Sequence, residues 1–395
     1  MSQELINLNP DLKQLRDEGY YLEIRGAYLL VKEVPYVNSR KEVTRGILVS
    51  KLNLAGDLTQ RPDDHQAQFV GDCPSRQDGS LMTNELVSQT GPIKLDEGLI
   101  ANFSFSRKPP RGYYENYYEK MTTYATLISS HAEAIDHSVT ARVYRVDEPE
   151  DEDSPFNYLD TASSRAEINV VTRKLALDRI AIVGLGGTGS YVLDLIAKTP
   201  VREIHIFDGD VYSTHNAFRS PAAPSIEELR EQHRKVDYYK TLYSKMHRGI
   251  LTHSIYIDAS NVDELENMNF VFLCLDKNKP KWLIVEKLEE KGIPFIDVGM
   301  GLNLKNDMLN GILRITTSTV QQRQHVREKN RIPVGGEDEN NEYDKNIQIA
   351  DLNALNAVLA VIKWKKLFGF YADTEKEFFS TYTIDCNMLT SEDAL

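Results

Sequence analysis

The sequence predicts an α/β protein in which a smaller α+β domain precedes a doubly wound, Rossmann-like domain. From residue 179 onward, apolar strands alternate with amphipathic helices, which is typical of a mostly parallel sheet covered on both faces. One of these strands runs directly into a glycine-rich turn and a helix. An acidic run with prolines, residues 146–155, comes before this region and is typical of a linker. We therefore place the α+β domain in residues 1–150 and the Rossmann-like domain in residues 160–395.

The predicted elements follow from local apolar patterns and turn residues. In the first domain, residues 27–34 read as a strand and residues 117–135 as a helix. The second domain begins with a strand at residues 179–184. The elements predicted after it are a helix at 190–198, a strand at 203–207, a helix at 225–247, strands at 270–275 and 294–297 around a helix at 281–291, a strand at 311–315, a polar loop at 316–346, a helix at 349–368 and a strand at 378–384.

The composition excludes some classes of function. The 395-residue chain carries a formal net charge of −13, which disfavours binding to nucleic-acid phosphates or to an anionic membrane. It has no apolar run of about 18 or more residues and no secretory signal pattern at its start, so we expect a cytoplasmic protein. Its three cysteines, Cys73, Cys274 and Cys386, lack the paired spacing of a structural zinc site.

The sharpest motif is the strand and turn from Ile180 to Ser190. Its glycines allow a tight turn and let backbone N–H groups and a helix N-terminus approach a phosphate. These glycines are Gly184, Gly186, Gly187 and Gly189. The spacing predicts a nucleotide site without choosing the nucleotide, because Asp208 is also placed as the acidic residue of an NAD site.

The residues that follow favour ATP. Asp208 at a strand end suits a ribose hydroxyl, and Arg219 and Lys235 can bind phosphate oxygens. Asp276, at the end of a later strand, can hold Mg²⁺. Two cations facing a phosphate chain suit ATP better than NAD.

Some of these assignments have structural alternatives. Asp210 and Asn216 are also typical of turns. Lys235 lies in a charged segment, where Arg234 or Lys240 can be the functional cation instead.

The motifs Gly-x-Gly-Gly-x-Gly-Ser, Asp-x-Asp-x-Val and Asn-x-x-Arg, with the helical lysine and the later strand-end aspartate, resemble the adenylation domain of ThiF, MoeB and the ubiquitin-activating enzymes. The resemblance covers roughly residues 165–385. It implies transfer of AMP from ATP to the C-terminal carboxylate of a ubiquitin-like protein. Arg219, Lys235 and Asp276 are the implied catalytic residues, with Asp276 as the magnesium ligand. The implied nucleotide-binding residues are Gly184, Gly186, Gly187, Gly189, Asp208, Asp210, Asn216, Arg219 and Lys235.

The resemblance also implies partners. Family members usually form homodimers, in which an arginine near the start of the adenylation domain completes the site of the other subunit. Arg165 and Arg173 lie in that region, but the family's Arg-Tyr-x-Arg-Gln pattern is missing. The Asn-rich final helix resembles a bacterial branch with an extra amino-terminal domain, which accompanies ubiquitin-like and conjugating-enzyme-like proteins. The aromatic and basic segment at residues 103–121 suits recruitment of such a partner, or a hydrophobic anchor within the first domain.

The step after adenylation is left open. Ubiquitin-activating enzymes use a cysteine in a crossing loop, but the matching residues 315–346 contain none. Either the chain only adenylates, or a thiol, Cys386 or Cys73, accepts the acyl group, or a hydroxyl does so with His325 as the nearest base. The hydroxyls in question belong to Thr316, Thr317, Ser318 and Thr319. Cys274 is expected in the core.

Two other classes of function use the same glycine loop. One is an NAD-dependent oxidoreductase, although no paired Lys, His or Tyr arrangement for hydride transfer is evident. The other is a nucleotide-binding scaffold without turnover, which the cysteine-free loop favours.

Overall fold

The computed structural model describes residues 2–145, 154–158, 160, 162–163, 168–276, 278–333 and 347–395. The chain divides into two compact units, Met1–Asp147 and Glu148–Leu395. Most of the predicted linker lies outside the described residues, as do Arg165 and the end of the predicted crossing loop, residues 334–346.

The first unit is a six-stranded antiparallel sheet with the strand order β1–β2–β3–β6–β8–β7 and a long helix packed against it. Its elements are α1 (Ser2–Leu8), α2 (Pro10–Asp17), β1 (Tyr21–Arg25), β2 (Tyr28–Val37), β3 (Val43–Lys51), β4 (Leu54–Ala55), β5 (Leu58–Thr59), β6 (Gln66–Val70), β7 (Val87–Asp96), β8 (Leu99–Ser106) and α3 (Tyr117–Ile135). The predicted α+β class of this unit is confirmed, although the sequence pattern revealed only one strand and one helix.

Helix α3 begins at two side-chain caps. The Glu119 backbone N–H donates to Asn116 Oδ1 at 2.9 Å, and the Tyr117 N–H donates to the buried Asp11 carboxylate at 3.0 Å. Both contacts satisfy N–H groups that lack partners within the helix, and the carboxylate also suits the positive end of the helix dipole. The buried face of α3 then packs on the aromatic core, where Tyr124 stacks on Phe105.

The second unit is built on an eight-stranded sheet. Its elements are α4 (Asn169–Thr172), β9 (Arg179–Val183), α5 (Gly187–Ile196), β10 (Glu203–Phe207), α6 (Thr214–Ala217), α7 (Ile226–Arg230), α8 (Lys235–Tyr243), β11 (Ile250–His253), β12 (Phe270–Leu273), α9 (Asn278–Lys291), β13 (Phe295–Lys305), β14 (Met308–Ser318), α10 (Gln324–Glu328), α11 (Ala350–Leu367), β15 (Phe379–Thr383) and β16 (Met388–Glu392), with short 3₁₀ turns at Arg173–Leu175 and Val262–Leu265.

The strand order β11–β10–β9–β12–β13–β14–β15–β16 confirms the doubly wound fold. The five strands from β11 to β13 run parallel, and β14 to β16 extend the sheet in antiparallel fashion. One face packs against α11 around Trp364 and Phe272, and the other packs against α9 around Ile284 and Leu288. The chain crosses from β10 and β11 back to β12 beside β9. This reversal makes the carboxyl ends of β9 and β12 the switch point where α/β folds bind ligands.

Three of the differences between the predicted and the observed elements affect the topology or the site. The helix predicted at 225–247 is two helices, since Gln232 adopts a positive φ of 52° and the Lys235 N–H returns to the Asp210 carbonyl at 3.0 Å. The strand predicted at 294–297 continues to Lys305 and forms a hairpin with β14 through Asn306 and Asp307, both at positive φ as a tight hairpin turn requires. The predicted loop at 316–346 starts too early, because residues 316–318 still belong to β14.

Candidate functional site

A pocket of about 1220 Å³ opens at the switch point. Its walls include the residues that follow β9, β10 and β12, and the facing hairpin of β13 and β14. Parallel strands direct their carboxyl ends to one edge of a sheet, so segments distant in sequence meet here. The pocket brings together Gly184, Gly186, Gly187, Asp208, Asp210, Arg219, Lys235 and Asp276 from the predicted site.

The glycine turn is shaped by close backbone contacts. Gly184 has a φ of +93°, and a Cβ there would lie 2.8 Å from the Cys274 carbonyl oxygen. A Cβ on Gly189 would lie 1.9 Å from the Gly184 carbonyl oxygen, so this residue serves packing and is not among the described residues that line the pocket. A Cβ on Gly186 would meet nothing within 4 Å. The turn therefore leaves open space beside Gly186, at the N-terminus of α5, where an anion is favoured.

Asp208, Asp210 and Lys235 form a charge cluster behind the glycine turn. The Asp208 carboxylate accepts the backbone N–H groups of Leu185 and Asp210, both at 2.8 Å. Lys235 Nζ lies 2.7 Å from Asp210 Oδ2 and 3.4 Å from Asp208 Oδ2. The Tyr256 hydroxyl donates to Asp210, which raises the pKa of Tyr256. Asp208 thus stabilises the glycine turn through a hydrogen bond, and Lys235 is held next to the turn by its ion pairs with Asp208 and Asp210.

The structure distinguishes between the cations that the sequence left open. Lys235 is buried and lines the pocket, whereas Lys240 is exposed and outside it. Arg234 donates to the Gly209 carbonyl oxygen at 2.7 Å and is likewise not among the described lining residues. Of the three cations, Lys235 is the one that lines the pocket.

Arg219 lines the pocket, and its Nε has no hydrogen-bond partner in the described part of the chain. Burial, together with the charges of Arg219 and Lys235, lowers the pKa of the nearby His215. For Asn216, the sequence left phosphate binding and turn formation as alternatives. Its Oδ1 accepts the Ser213 N–H at 2.9 Å in the capping box of α6, and it is not among the described lining residues.

Asp276 lines the pocket in the loop after β12 and is exposed. The described residues include no group of three or more His, Cys, Asp or Glu side chains that could hold a metal ion. A Mg²⁺ ion at Asp276 therefore needs oxygen ligands from a bound phosphate and from water.

The polar lining residues that the sequence missed include Lys281, Arg314, Asn353 and Asn356. Asn353 is buried near the start of α11. Its Oδ1 accepts the Thr188 hydroxyl at 3.0 Å, and its Nδ2 donates to the Arg219 carbonyl oxygen at 3.2 Å. One amide thus joins the glycine turn, the arginine segment and the last long helix. The Asn-rich helix was the available signal, but the asparagines lie within its apolar pattern.

The hydroxyls proposed as acyl acceptors are not brought to the pocket. Thr316, Thr317 and Ser318 are buried in β14, paired with the first residues of β13, and the Thr316 hydroxyl donates to the Arg331 carbonyl oxygen at 3.1 Å. Because Ser318 pairs with Phe295 at the start of β13, and β13 is parallel to β12, β14 ends at the edge opposite the carboxyl end of β12. His325 is also buried, and burial lowers its pKa. This burial and strand pairing disfavour the acceptor hypothesis.

The thiols show no activation. Cys274 does line the pocket, against the expectation of a pure core residue, but burial raises the pKa of its thiol. Burial also raises the pKa of Cys73, which belongs to the first unit. Cys386 is exposed in the turn between β15 and β16 and is not among the described lining residues. A nucleophilic cysteine needs a lowered pKa.

Two family models match the chain. The ThiF family model matches residues 163–314, and a domain of unknown function (DUF6791) matches residues 10–161. Among curated proteins, the adenylyltransferase and sulfurtransferase UBA4 of Saccharomyces cerevisiae strain YJM789 is 27% identical over 139 residues. The same protein of strain S288c is 26% identical over 139 residues. Each match spans 35% of this chain but only 31% of the yeast protein.

Solved structures similar to the chain include E. coli MccB with AMPCPP and MccA, at 18% identity and a TM-score of 0.46, covering 59% of this chain and 71% of that one. SeMet PaaA is 16% identical with a TM-score of 0.44, covering 57% and 76%. None of the described helices is long and apolar enough to cross a membrane.

Proposed function

We propose that this chain uses ATP and Mg²⁺ to join AMP to the C-terminal carboxylate of a ubiquitin-like protein, because residues 163–314 match the ThiF family model. The observation that carries the proposal is the convergence of the open glycine turn, Arg219, Lys235 and Asp276 on one pocket at the switch point of the sheet. Adenylation needs these groups together, since each acts on a different part of the phosphate chain.

The charges of the pocket fit a nucleotide that carries a metal ion. The lining residues include four cations, Arg219, Lys235, Lys281 and Arg314, and four aspartates, Asp208, Asp210, Asp258 and Asp276. The side chains alone therefore do not offset a triphosphate. A Mg²⁺ ion held at Asp276 would supply the missing positive charge and polarise the phosphate oxygens.

The residues act by positioning and charge. A C-terminal carboxylate is already ionised at neutral pH, so its oxygen can attack the α-phosphorus without a general base. The N–H groups around Gly186 hold phosphate oxygens at the N-terminus of α5. Arg219 and Lys235 neutralise the charge that develops as pyrophosphate leaves. Asp208 contacts both the glycine turn and Lys235 and holds them in place relative to each other.

We further propose that the adenylated product passes to a separate protein. Among the described hydroxyls and thiols that the sequence singled out, the one that lines the pocket is Cys274, and its raised pKa disfavours a thiolate. A conjugating-enzyme-like protein is the class of acceptor that fits this transfer. The amino-terminal unit, with its own core, is the proposed recruitment domain, and the homodimer stays a prediction.

The test is ATP–pyrophosphate exchange with ubiquitin-like proteins from the same genome, starting with those that end in glycine. Exchange that depends on both ATP and the partner protein is expected. Arg219→Ala and Asp276→Ala should each reduce the exchange rate by about 10²-fold or more. The first removes a cation beside the reacting phosphates, and the second removes the side chain that would hold Mg²⁺ there.

Matched controls lie nearby on the surface. Arg230→Ala removes an exposed arginine at the end of α7, and Asp263→Ala removes an exposed aspartate paired with Lys287. Both should exchange at the native rate. Exchange that is equal in all variants, or that needs no partner protein, would contradict the proposal. Binding of NAD in preference to ATP would instead support the oxidoreductase alternative, and tight ATP binding without any exchange would support a scaffold.

A further inference from the structure

A buried charge cluster at the pocket, formed by Lys281, Asp297 and Arg314, has been given no individual role above. Asp297, on β13, is fully buried. Lys281 Nζ lies 2.7 Å from its Oδ1, and Arg314 Nη2 lies 2.6 Å from its Oδ2. Lys281 and Arg314 line the pocket, while Asp297 sits behind them.

The cluster has one positive charge more than it has negative charges. Two cations share one carboxylate, and Lys281 is only 4% exposed. An uncompensated charge at a buried position is costly. Arg314 also has a buried Nε without a hydrogen-bond partner among the described residues. Both features are satisfied by one further anion that enters from the pocket and meets the guanidinium.

Asn356 supplies a complementary group beside the same backbone. Its Nδ2 donates to the Gly299 carbonyl oxygen at 3.2 Å, and its Oδ1 accepts no hydrogen bond from any described residue. Gly299 is the strand partner of Arg314, and a Cβ on Gly299 would lie 2.6 Å from Arg314 Nη2. The absence of a side chain at Gly299 thus lets the guanidinium lie against the strand. Gly299 is therefore flanked by two unsatisfied groups. One is the Nε donor of Arg314, which carries the excess positive charge, and the other is the Oδ1 acceptor of Asn356.

The terminal residue of a peptide presents both complementary groups, a carboxylate and, one carbon away, an amide N–H. We propose that Arg314 and Lys281 bind the C-terminal carboxylate of the protein substrate and that Asn356 Oδ1 accepts the N–H of its last residue. This inference rests on the proposed function only in taking a protein C-terminus as the substrate. Asp297 is the positioning residue that holds the two cations in place.

A free phosphate can also satisfy the excess charge, but it has no N–H to donate to Asn356. The probes are therefore small molecules that carry one or both groups. N-acetylglycine has the carboxylate and the N–H, N-acetylglycinamide lacks the carboxylate, N-acetylsarcosine lacks the N–H, and inorganic phosphate has only the charge. Their binding to the full chain is measured by ligand-observed NMR.

The native chain should bind N-acetylglycine with a Kd of about 1 mM, as expected for so few atoms. The amide should bind about 10- to 100-fold more weakly, because a hydrogen bond to a charged group is lost. N-acetylsarcosine should bind about 5-fold more weakly, because it leaves the Asn356 acceptor unmet. The Arg314→Gln variant should bind N-acetylglycine and N-acetylglycinamide with the same affinity. The Asn356→Ala variant should bind N-acetylglycine and N-acetylsarcosine with the same affinity.

Two further variants protect the test. Arg314→Lys keeps a positive charge beside Asp297 if the glutamine variant fails to fold, and it should still lose about 5-fold in acid affinity because it lacks the Nε donor. Arg179→Gln, which removes a surface arginine paired with Glu203, should bind every probe as the native chain does.

Equal binding of N-acetylglycine and its amide by the native chain would overturn the inference. So would a preference for N-acetylglycine that is retained in Arg314→Gln, or an affinity for N-acetylglycine that is undiminished in Arg314→Lys. Phosphate binding that equals N-acetylglycine binding and is insensitive to Asn356→Ala would also overturn it, in favour of a plain anion site. Pyrophosphate exchange separates the two proposals. If the chain prefers N-acetylglycine to its amide but shows no pyrophosphate exchange, the carboxylate subsite is supported and the proposed adenylation is contradicted. If exchange occurs and Arg314→Gln does not change its rate, the adenylation is supported and the subsite is contradicted.

Discussion

Asn353 and Gly187 should behave as an interdependent pair. A Cβ on Gly187 would lie 2.0 Å from Asn353 Nδ2, whereas such contacts stay above 3.0 Å in real proteins. Gly187→Ala must therefore displace the asparagine amide by about 1 Å, which breaks its hydrogen bonds to the Thr188 hydroxyl and the Arg219 carbonyl. Removing the amide by Asn353→Ala also removes the clash.

The expected energies follow from these contacts. Asn353→Ala loses two hydrogen bonds and should cost about 2 kcal/mol of stability. Gly187→Ala loses the same bonds and adds overpacking, for a total of about 3–5 kcal/mol. The double variant lacks both the bonds and the clash and should cost about 2 kcal/mol. It should thus be more stable than Gly187→Ala alone, by at least about 1 kcal/mol.

Urea unfolding followed by tryptophan fluorescence measures this cycle in the second unit alone, because the chain has two tryptophans, Trp282 and Trp364, and both belong to that unit. Gly301→Ala is the control, since a Cβ there meets nothing within 4 Å, and it should change stability by less than about 0.5 kcal/mol. If the two costs simply add in the double variant to within about 0.5 kcal/mol, the described contact is wrong.

Three other changes test different parts of the second unit. The Cβ of Gly186→Ala would project into open space, so this variant should have the native melting temperature. It should bind ATP about tenfold or more weakly in a fluorescence titration, because the methyl group takes the space of a phosphate. An unaltered affinity for ATP would argue against a phosphate at Gly186. Asp276→Asn should abolish the stimulation of ATP binding by Mg²⁺ while leaving metal-free binding nearly native, as equilibrium dialysis with and without Mg²⁺ can show. The buried His247 donates from Nε2 to the Val201 carbonyl oxygen and accepts the Gly249 N–H at Nδ1, and burial lowers its pKa. The unfolded chain therefore binds that proton more readily, so stability is lost as the pH falls through about 6.5, and His247→Gln should make the melting temperature less dependent on pH between about 7.5 and 5.5. An unchanged slope would mean that other groups control the acid response.

The local part of the site could be predicted from the sequence. A strand, a glycine turn and a helix N-terminus are contiguous, so residues 180–190 already contain the geometry that places Gly186 at the pocket. The first acidic residues after the next strand follow from the same parallel topology, which brings strand ends to one edge. The choice of Lys235 over Arg234 and Lys240 required the structure, because the sequence of a charged helix start does not indicate which cation is buried.

The buried charge cluster at the pocket could not be predicted in this way. Lys281 and Asp297 are 16 residues apart in sequence, and Asp297 and Arg314 are 17 residues apart. Arg314 meets Asp297 because β14 pairs with β13, and Lys281 meets it from the start of α9, the helix between β12 and β13. The prediction ended the strand at Asp297 and so missed the hairpin. It also placed Thr316 to Ser318 in a loop because they are polar, whereas they pair with β13 and are buried within the sheet.

The chemistry itself is most directly tested by the mass of the protein substrate. The full chain is incubated with a ubiquitin-like protein, ATP and Mg²⁺, with pyrophosphatase added, and the mixture is quenched in acid and analysed by intact-protein mass spectrometry. We predict that the ubiquitin-like protein gains the mass of one adenylate at its C-terminus, and that the gain is absent with Arg219→Ala or when the C-terminus is an amide. An unmodified substrate under conditions where ATP binding is saturated, for every ubiquitin-like protein of the genome, would contradict the proposed adenylation.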